Sequence, residues 1–211
     1  PTGEEGPCGP TTEIHFNDVE LWNLVFNEYY QDKNGNLTPL KQKGVDTGMG
    51  LERLAMVIQG KDSVYETDLF SPIIREITRP GDVKAERIIA DHIKGAVFLI
   101  SEEIFPSNVE RGYVLRRVLR RAIRYGKILN LPPNFLIPLA QKAIEIYKDV
   151  YPEVKSNETD ILTVIQNEEE KFEKTLAVGL KQFEKISVKG DIKGEDAFHL
   201  YDTYGFPLEL T

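Results

Sequence analysis

The pattern of apolar residues changes its period near Gly48, and this change limits the folds open to the chain. Before it, residues 11–16 alternate polar and apolar side chains, and residues 19–30 are rich in aromatic and β-branched types, as strands are. After it, apolar residues recur at the three- and four-residue spacing of helices. The sequence therefore predicts an α+β fold with a β-rich beginning and a mostly helical remainder.

Turn and breaker residues divide both parts further. Asn34-Gly35 lies between two strand-like runs and predicts a hairpin, with a third strand over about residues 37–45. A two-glycine turn, with glycines free to adopt positive φ, should then lead from Gly48 into a helix that ends at Gly60. Further helices are predicted over residues 68–78, 83–103, 110–129, 134–150, 158–186 and 196–201. The predicted domains are residues 1–80 and 81–211.

Composition excludes several classes of protein. One cysteine cannot form an internal disulfide, and with three histidines it cannot build a zinc cluster, so no zinc is expected and a reducing cytoplasm fits. No apolar run reaches the roughly 18 residues of a membrane span. The net charge of −8 argues against nucleic-acid binding by the whole surface. Between residues 111 and 127, however, seven basic residues stand without an acid, which indicates a polyanion site.

Two groups of polar residues in the first part suggest chemistry. Glu13 and Glu20 should lie on neighbouring antiparallel strands, where one face can carry both carboxylates for Mg²⁺ bound together with phosphates. Arg53, in the first turns of the predicted helix, suits a phosphate or an adenine ring. From the residues alone, the glutamates could equally be solvated and the glycine turn purely structural.

The segment 44–54 (GVDTGMGLERL) resembles motif 3 of class II aminoacyl-tRNA synthetases of the alanine type, and segments 6–16 and 20–26 resemble two further signatures of that family. The resemblance implies that Arg53 and Gly50 contact ATP and that Asp46 binds the α-amino group of alanine. It also implies that Gly48 keeps the pocket small, beside Asn23 and Trp22. Glu13 and Glu20 would then hold Mg²⁺, and the fold would be the last part of the family's antiparallel sheet.

Segment 91–117 resembles the family's helical tRNA-recognition domain. The resemblance implies that Asn108 and Asp202 read a G·U pair in the acceptor stem of alanine tRNA. Arginines of helix 110–129 would grip its phosphates; Arg116, Arg120, Arg124 and Lys127 share one helical face, with Arg111, Arg117 and Arg121 as further candidates. In the alternative interpretation, this basic helix pairs with the acidic helix that contains Glu168, Glu169 and Glu170.

The implied reaction is ATP-dependent activation of alanine and its transfer to tRNA. Motifs 1 and 2 and the family's editing region have no counterpart in these 211 residues. We therefore expect the isolated chain to be inactive in pyrophosphate exchange, and we expect its missing N-terminal and C-terminal regions to be its partners. Two alternatives are a non-catalytic tRNA-binding module and one subunit of a split synthetase.

Overall fold

The computed structural model describes residues 3–78, 81–188, 190–204 and 206. It contains two compact units, Pro1–Ser71 and Pro72–Thr211. The first contains an antiparallel sheet with a short helix. The regular elements in the described part of the second are all helices. The predicted α+β class is confirmed. The domain division near residue 80 stays a prediction.

The sheet is organised around one long strand. Strands β1 (Gly6–Cys8), β2 (Thr11–Phe16) and β4 (Leu37–Met49) all pair antiparallel with β3 (Val19–Gln31). Because β4 follows β3 along most of its length, β1 and β2 share the opposite edge of β3. The three residues of β1 are too few to show an alternating pattern, and the sequence analysis missed this strand.

The Asn-Gly signal between β3 and β4 forms the predicted hairpin turn. Gly35 has a φ of +83° and donates its N–H to the carbonyl of Asp32. The Asp32 carboxylate accepts hydrogen bonds from the side chain and backbone of Asn36, which lower the pKa of this carboxyl. The turn sets the pairing as far as Tyr29 with Pro39, and a register shift between Asn27 and Tyr29 then brings the far end of β4 beside Trp22 and Asn23.

The predicted two-glycine turn after residue 45 is wrong. Strand β4 continues to Met49, with Gly48 paired to Asn23, and helix α1 (Leu51–Ile58) begins immediately after Gly50. Gly50 has an extended φ of −76°, so the change of direction needs no left-handed residue. The cause is the length of β3, because its ladder offers partners to β4 as far as Trp22.

The helical unit contains the predicted long helices with small shifts at their ends. They are α3 (Val83–Ser101), α4 (Glu110–Ile128), α5 (Leu136–Tyr147), α7 (Glu158–Ser187) and α8 (Gly194–Tyr204). Asp82 caps α3 by accepting the N–H of Lys84. The helix predicted over 68–78 is only α2 (Ser71–Arg75), preceded by a 3₁₀ helix, Val64–Glu66. Helix α6 (Pro152–Ser156), with proline in its first turn, is too short for a periodic signal.

The core of this unit is aliphatic and is shared by α3, α4, α5 and α7. Fully buried side chains include Ile93 on α3, Leu119 on α4, Leu139 on α5 and Ile165 on α7. The buried stripe of α4 runs through Leu115 and Leu119, and Val114 lies outside it with an exposed fraction of 53%. No helix among the described residues is long and apolar enough to cross a membrane.

Candidate functional site

One face of the sheet gathers most of the polar residues singled out from the sequence. Asn23 is the cross-strand partner of Glu13 on β2 and of Gly48 on β4, so these three residues point to the same side. Asp46 stands two residues before Gly48 and shares that side, because side chains alternate along a strand. The Asn23 amide donates a hydrogen bond to Glu13 Oε1 over 3.2 Å, and this bond links β3 to β2 on the same face.

Glu13 is held in its ionised form by a residue to which the sequence analysis gave no role. His15 Nε2 lies 2.8 Å from Glu13 Oε2, and this hydrogen bond, together with the one from Asn23, lowers the pKa of the Glu13 carboxyl. The two-residue spacing of Glu13 and His15 on one strand was the available signal, since it places both on one face.

A β-bulge brings Glu20 to the face that carries Glu13. Ile14 pairs with Trp22, but the next pair is His15 with Glu20, so Leu21 is an extra residue in β3. Without this shift, Glu20 would point to the same side as Trp22. With it, Glu20 lies opposite His15, whose ring already bonds Glu13. The Leu21 carbonyl accepts the N–H of Gly50, which joins the bulge to the start of α1.

Arg53 reaches back from the first turn of α1 to the bulged strand. Its Nη1 donates to the backbone carbonyl of Glu20 at 2.9 Å and lies 3.7 Å from Glu20 Oε2. About half of the Arg53 side chain remains exposed, so most of its donors face solvent. A Cβ on Gly50 would lie 3.2 Å from Cδ of Arg53, so the glycine leaves room for this arginine.

Asp46 and Gly48 are exposed, and Trp22 is not beside them. A Cβ on Gly48 would meet no atom within 4 Å, so the glycine keeps the space above the sheet clear. Trp22 belongs to the opposite face, where its indole N–H donates to the Thr47 hydroxyl. That hydroxyl in turn donates to the Asn23 carbonyl at 3.0 Å. The structure thus brings Asn23, Asp46 and Gly48 together on one face of the sheet, and Trp22 lies on the opposite face.

On α4, the arginines divide into an internal and an external set. Arg120 Nε donates to Glu168 Oε1 at 2.6 Å, and the guanidinium lies 4.9 Å from the centre of the Phe172 ring. Lys127 pairs with Glu173 on the same partner helix, α7. Arg120 and Lys127 are thus paired with the acidic helix, as the alternative interpretation expected of the basic helix, and phosphate binding by the arginines of α4 stays a prediction. Arg111, Arg117 and Arg121 are the exposed arginines of the helix.

The loop before α4 holds Asn108 in an exposed position. Arg116 Nη1 donates to the Asn108 side-chain oxygen, and the Arg116 guanidinium lies 5.9 Å from the centre of the Tyr113 ring. Asp202 belongs to α8, but its side chain lies outside the described residues.

Comparison with known proteins identifies the family of this chain. The family model described as "tRNA synthetases class II (A)" matches residues 1–211. The chain is 50% identical to the alanine–tRNA ligase of Thermotoga sp. (strain RQ2), over 100% of this chain and 25% of that protein. It is 44% identical to the corresponding ligase of Bacillus pumilus (strain SAFR-032), over 98% of this chain and 28% of that protein.

The chain belongs to the alanine-type class II tRNA synthetases.

Legionella pneumophila (strain Lens) has a further alanine–tRNA ligase that is 44% identical over 99% of this chain and 27% of its own length. The chain thus spans about a quarter of the length of these synthetases. The family membership confirms the resemblance. The residues on the sheet face and on α4 therefore belong to a protein of a ligase family.

The described residues contain no group of three or more His, Cys, Asp and Glu side chains arranged for a metal ion. Two of the carboxylates on the sheet face lie toward α1: Glu13, which is bonded by His15, and Glu20, which lies beside Arg53. This donor set fits Mg²⁺, which keeps several water molecules and binds through one or two carboxylates together with substrate phosphates.

Proposed function

We propose that this chain is part of an alanine–tRNA ligase and supplies one wall of its alanine and ATP site together with its acceptor-stem-binding surface. The observation that carries the proposal is the single sheet face on which Glu13, Asn23, Asp46 and Gly48 are brought together by the pairing of three strands. This face offers negative charge for an ammonium group, and Arg53 beside it offers positive charge for phosphate.

Each part of the substrate would find a matching group on this face. The Asp46 carboxylate would accept hydrogen bonds from the α-amino group of alanine, and the Asn23 amide offers a donor and an acceptor for its carboxylate or carbonyl. Gly48 leaves room for a methyl side chain, because its Cβ position is empty. Arg53, with Gly50 at the start of its helix, would contact ATP phosphate or the adenine ring.

Catalysis would rest on positioning and charge neutralisation. ATP supplies the activated phosphate, and Mg²⁺ neutralises its charge when bound. Glu13 and Glu20 would hold the ion, and the hydrogen bond from His15 keeps Glu13 ionised for this task. Arg53, fixed by the Glu20 carbonyl, would orient the nucleotide without needing to reorganise.

The helical unit would bind the acceptor stem through exposed groups of α4 and its preceding loop. Arg111, Arg117 and Arg121 are free of the acidic partner helix and suit phosphate contacts. Asn108, together with Asp202 from α8, would read the G·U pair from the minor groove. Arg116 and Arg124 are half-buried and remain candidates for secondary contacts.

The tRNA part is tested with the full-length protein encoded by the reading frame that holds these residues. We expect Asn108→Ala and Asp202→Ala to abolish the preference in aminoacylation for G·U over G·C acceptor stems, while nonspecific RNA binding stays largely intact. The physical reason is that phosphate contacts position the stem and groove contacts specify it. Equal losses on both stems would contradict this assignment.

A second prediction separates the two sets of arginines. Arg117→Gln should reduce the slope of log affinity against log salt by about one, measured on acceptor-stem RNA between about 50 and 200 mM salt. The matched change Arg120→Gln should leave the slope nearly unchanged and should lower thermal stability instead, because Glu168 would lose its partner in a buried position. A larger change of slope for Arg120 would show that this pair opens on RNA.

A further inference from the structure

The amide of Asn108 is oriented by the protein before any RNA is bound. Its side-chain oxygen accepts a hydrogen bond from Arg116 Nη1. A guanidinium has donors only, so the amide must present its oxygen to Arg116 and its NH₂ group on the other side. Among the described residues, the Asn108 NH₂ group has no hydrogen-bond partner, and the residue is exposed.

The loop that carries Asn108 is held closely against the start of α4. The N–H of Ser107 donates to the carbonyl of Gly112, and the Ser107 hydroxyl bonds both backbone groups of Val109. A Cβ on Gly112 would lie only 2.4 Å from the Phe105 carbonyl and from the Ser107 hydroxyl, so only glycine permits this approach. Asn108 is therefore bracketed by fixed residues on both sides.

Arg116 is placed to do this orienting work. It lies two turns after Asn108 along the chain, is half-buried, and rests near the Tyr113 ring, which limits its freedom. Its neighbour Arg117 is exposed and makes no contact with Asn108 within the described part of the chain. The two arginines carry the same charge, so they form a matched pair for separating orientation from general attraction to RNA.

We propose that Arg116 is a positioning residue that turns the Asn108 amide outward with its N–H donors. Asn108 then recognises an acceptor in the minor groove of the stem, guanine N3 or the ribose 2′-hydroxyl oxygen, rather than the guanine amino group, and the contact favours G·U over G·C because wobble pairing displaces the guanosine toward this groove. This inference rests on the proposed function, since it concerns the same contact with the acceptor stem. It assigns the chemical direction of that contact, which the identity of the residue leaves open, because an amide can donate or accept.

The test measures kcat/KM of the full-length protein on acceptor-stem RNAs that differ by single atoms. The guanosine of the G·U pair is replaced by inosine, which lacks the amino group, by 3-deazaguanosine, which lacks N3, or by 2′-deoxyguanosine. We expect Asn108→Ala to erase the penalty for 3-deazaguanosine or for 2′-deoxyguanosine, a change of about fivefold for one hydrogen bond. The inosine penalty should persist in this variant. The proposal would be overturned if Asn108→Ala lost the inosine penalty instead. It would also be overturned if this variant kept all three penalties.

Variants of the arginine test the positioning role. Arg116→Met should erase the same penalty as Asn108→Ala, and the double variant should be no worse on that RNA, whereas Arg116→Lys, which keeps a donor, should restore part of it. Arg117→Met should lower kcat/KM on all four RNAs alike. If Arg116→Met keeps the wild-type pattern of penalties, the positioning role is overturned. If the wild-type protein charges G·U and G·C stems equally, the proposed function itself fails, which is a different result from a changed pattern among the single-atom variants.

Discussion

Replacing Asp46 by asparagine in the full-length protein should lower kcat/KM for alanine by about 10- to 100-fold in alanine-dependent pyrophosphate exchange. The substitution keeps the size of the side chain and one acceptor oxygen but removes its negative charge. A hydrogen bond between charged groups is worth about 1.5–3 kcal/mol, and this difference sets the expected range. The loss should appear mainly as a raised KM for alanine, with the KM for ATP little changed, because Asp46 is assigned to the amino group alone.

Asp18→Asn is the matched control for this prediction. Asp18 is also exposed, and it lies in the turn between β2 and β3 rather than on the paired part of the sheet face. We expect this control to leave both KM values unchanged. Equal effects of the two substitutions, or an unchanged alanine KM in Asp46→Asn, would remove Asp46 from the alanine site.

Replacing Glu169 by glutamine should stabilise the chain strongly at pH 8 and much less at pH 5. Glu169 is fully buried on α7, and its Oε2 accepts the N–H of Leu136 at the start of α5, over 3.3 Å. Within the described part of the chain, its Oε1 is buried and has no hydrogen-bond partner. Burial, which outweighs the hydrogen bonds from the start of α5, raises the pKa of this carboxyl to about 7.

The direction of the pH effect follows from which state holds the proton more tightly. The folded state binds this proton more tightly than the unfolded state, whose pKa is near 4.5. Ionisation of Glu169 therefore takes nothing from the free energy of unfolding below pH 4.5. The loss of stability grows until the pH passes about 7. The full cost is about 3 kcal/mol, since one pKa unit corresponds to about 1.4 kcal/mol. Glutamine avoids it while keeping an oxygen for the Leu136 N–H.

Thermal unfolding followed by circular dichroism at pH 5 and pH 8 measures this difference. A gain of about 3 kcal/mol corresponds to roughly 6–12 °C in Tm for a unit of this size. Glu170→Gln, one position further along α7 and half-buried, is the control and should shift Tm little at either pH. If Glu169→Gln changed Tm equally at both pH values, the carboxyl would not be titrating with folding.

The sequence indicated the elements of this fold better than the geometry of its site. Long periodic segments such as α3 and α4 were predictable because their own apolar stripes define them. Glu13 and Glu20 do share one face, but the one-residue register shift at Leu21 that produces this arrangement leaves no mark in residue types. Trp22 is different, because it directly precedes Asn23 in a predicted strand, and alternation alone places the two side chains on opposite faces.

Helix α4 shows why helical spacing alone could not identify which of its arginines are exposed. Arg116, Arg120 and Arg124 do share one face, but the function of that face depends on the helix packed against it. Glu168 and Glu173 on α7 supply that information only after folding. The family resemblance likewise pointed to Asn108, yet the direction of its amide is decided by Arg116, which lies eight positions away.

The bulge at Leu21 shifts the alternation of side chains along β3 by one residue. Deleting Leu21 would regularise the ladder and would leave Glu20 opposite His15, on the face of Glu13, because Glu20 would then directly precede Trp22. The deletion would also remove the carbonyl that anchors Gly50. A regular β3 would therefore keep the shared face of Glu13 and Glu20 but would lose the hydrogen bond that attaches the start of α1 to the sheet.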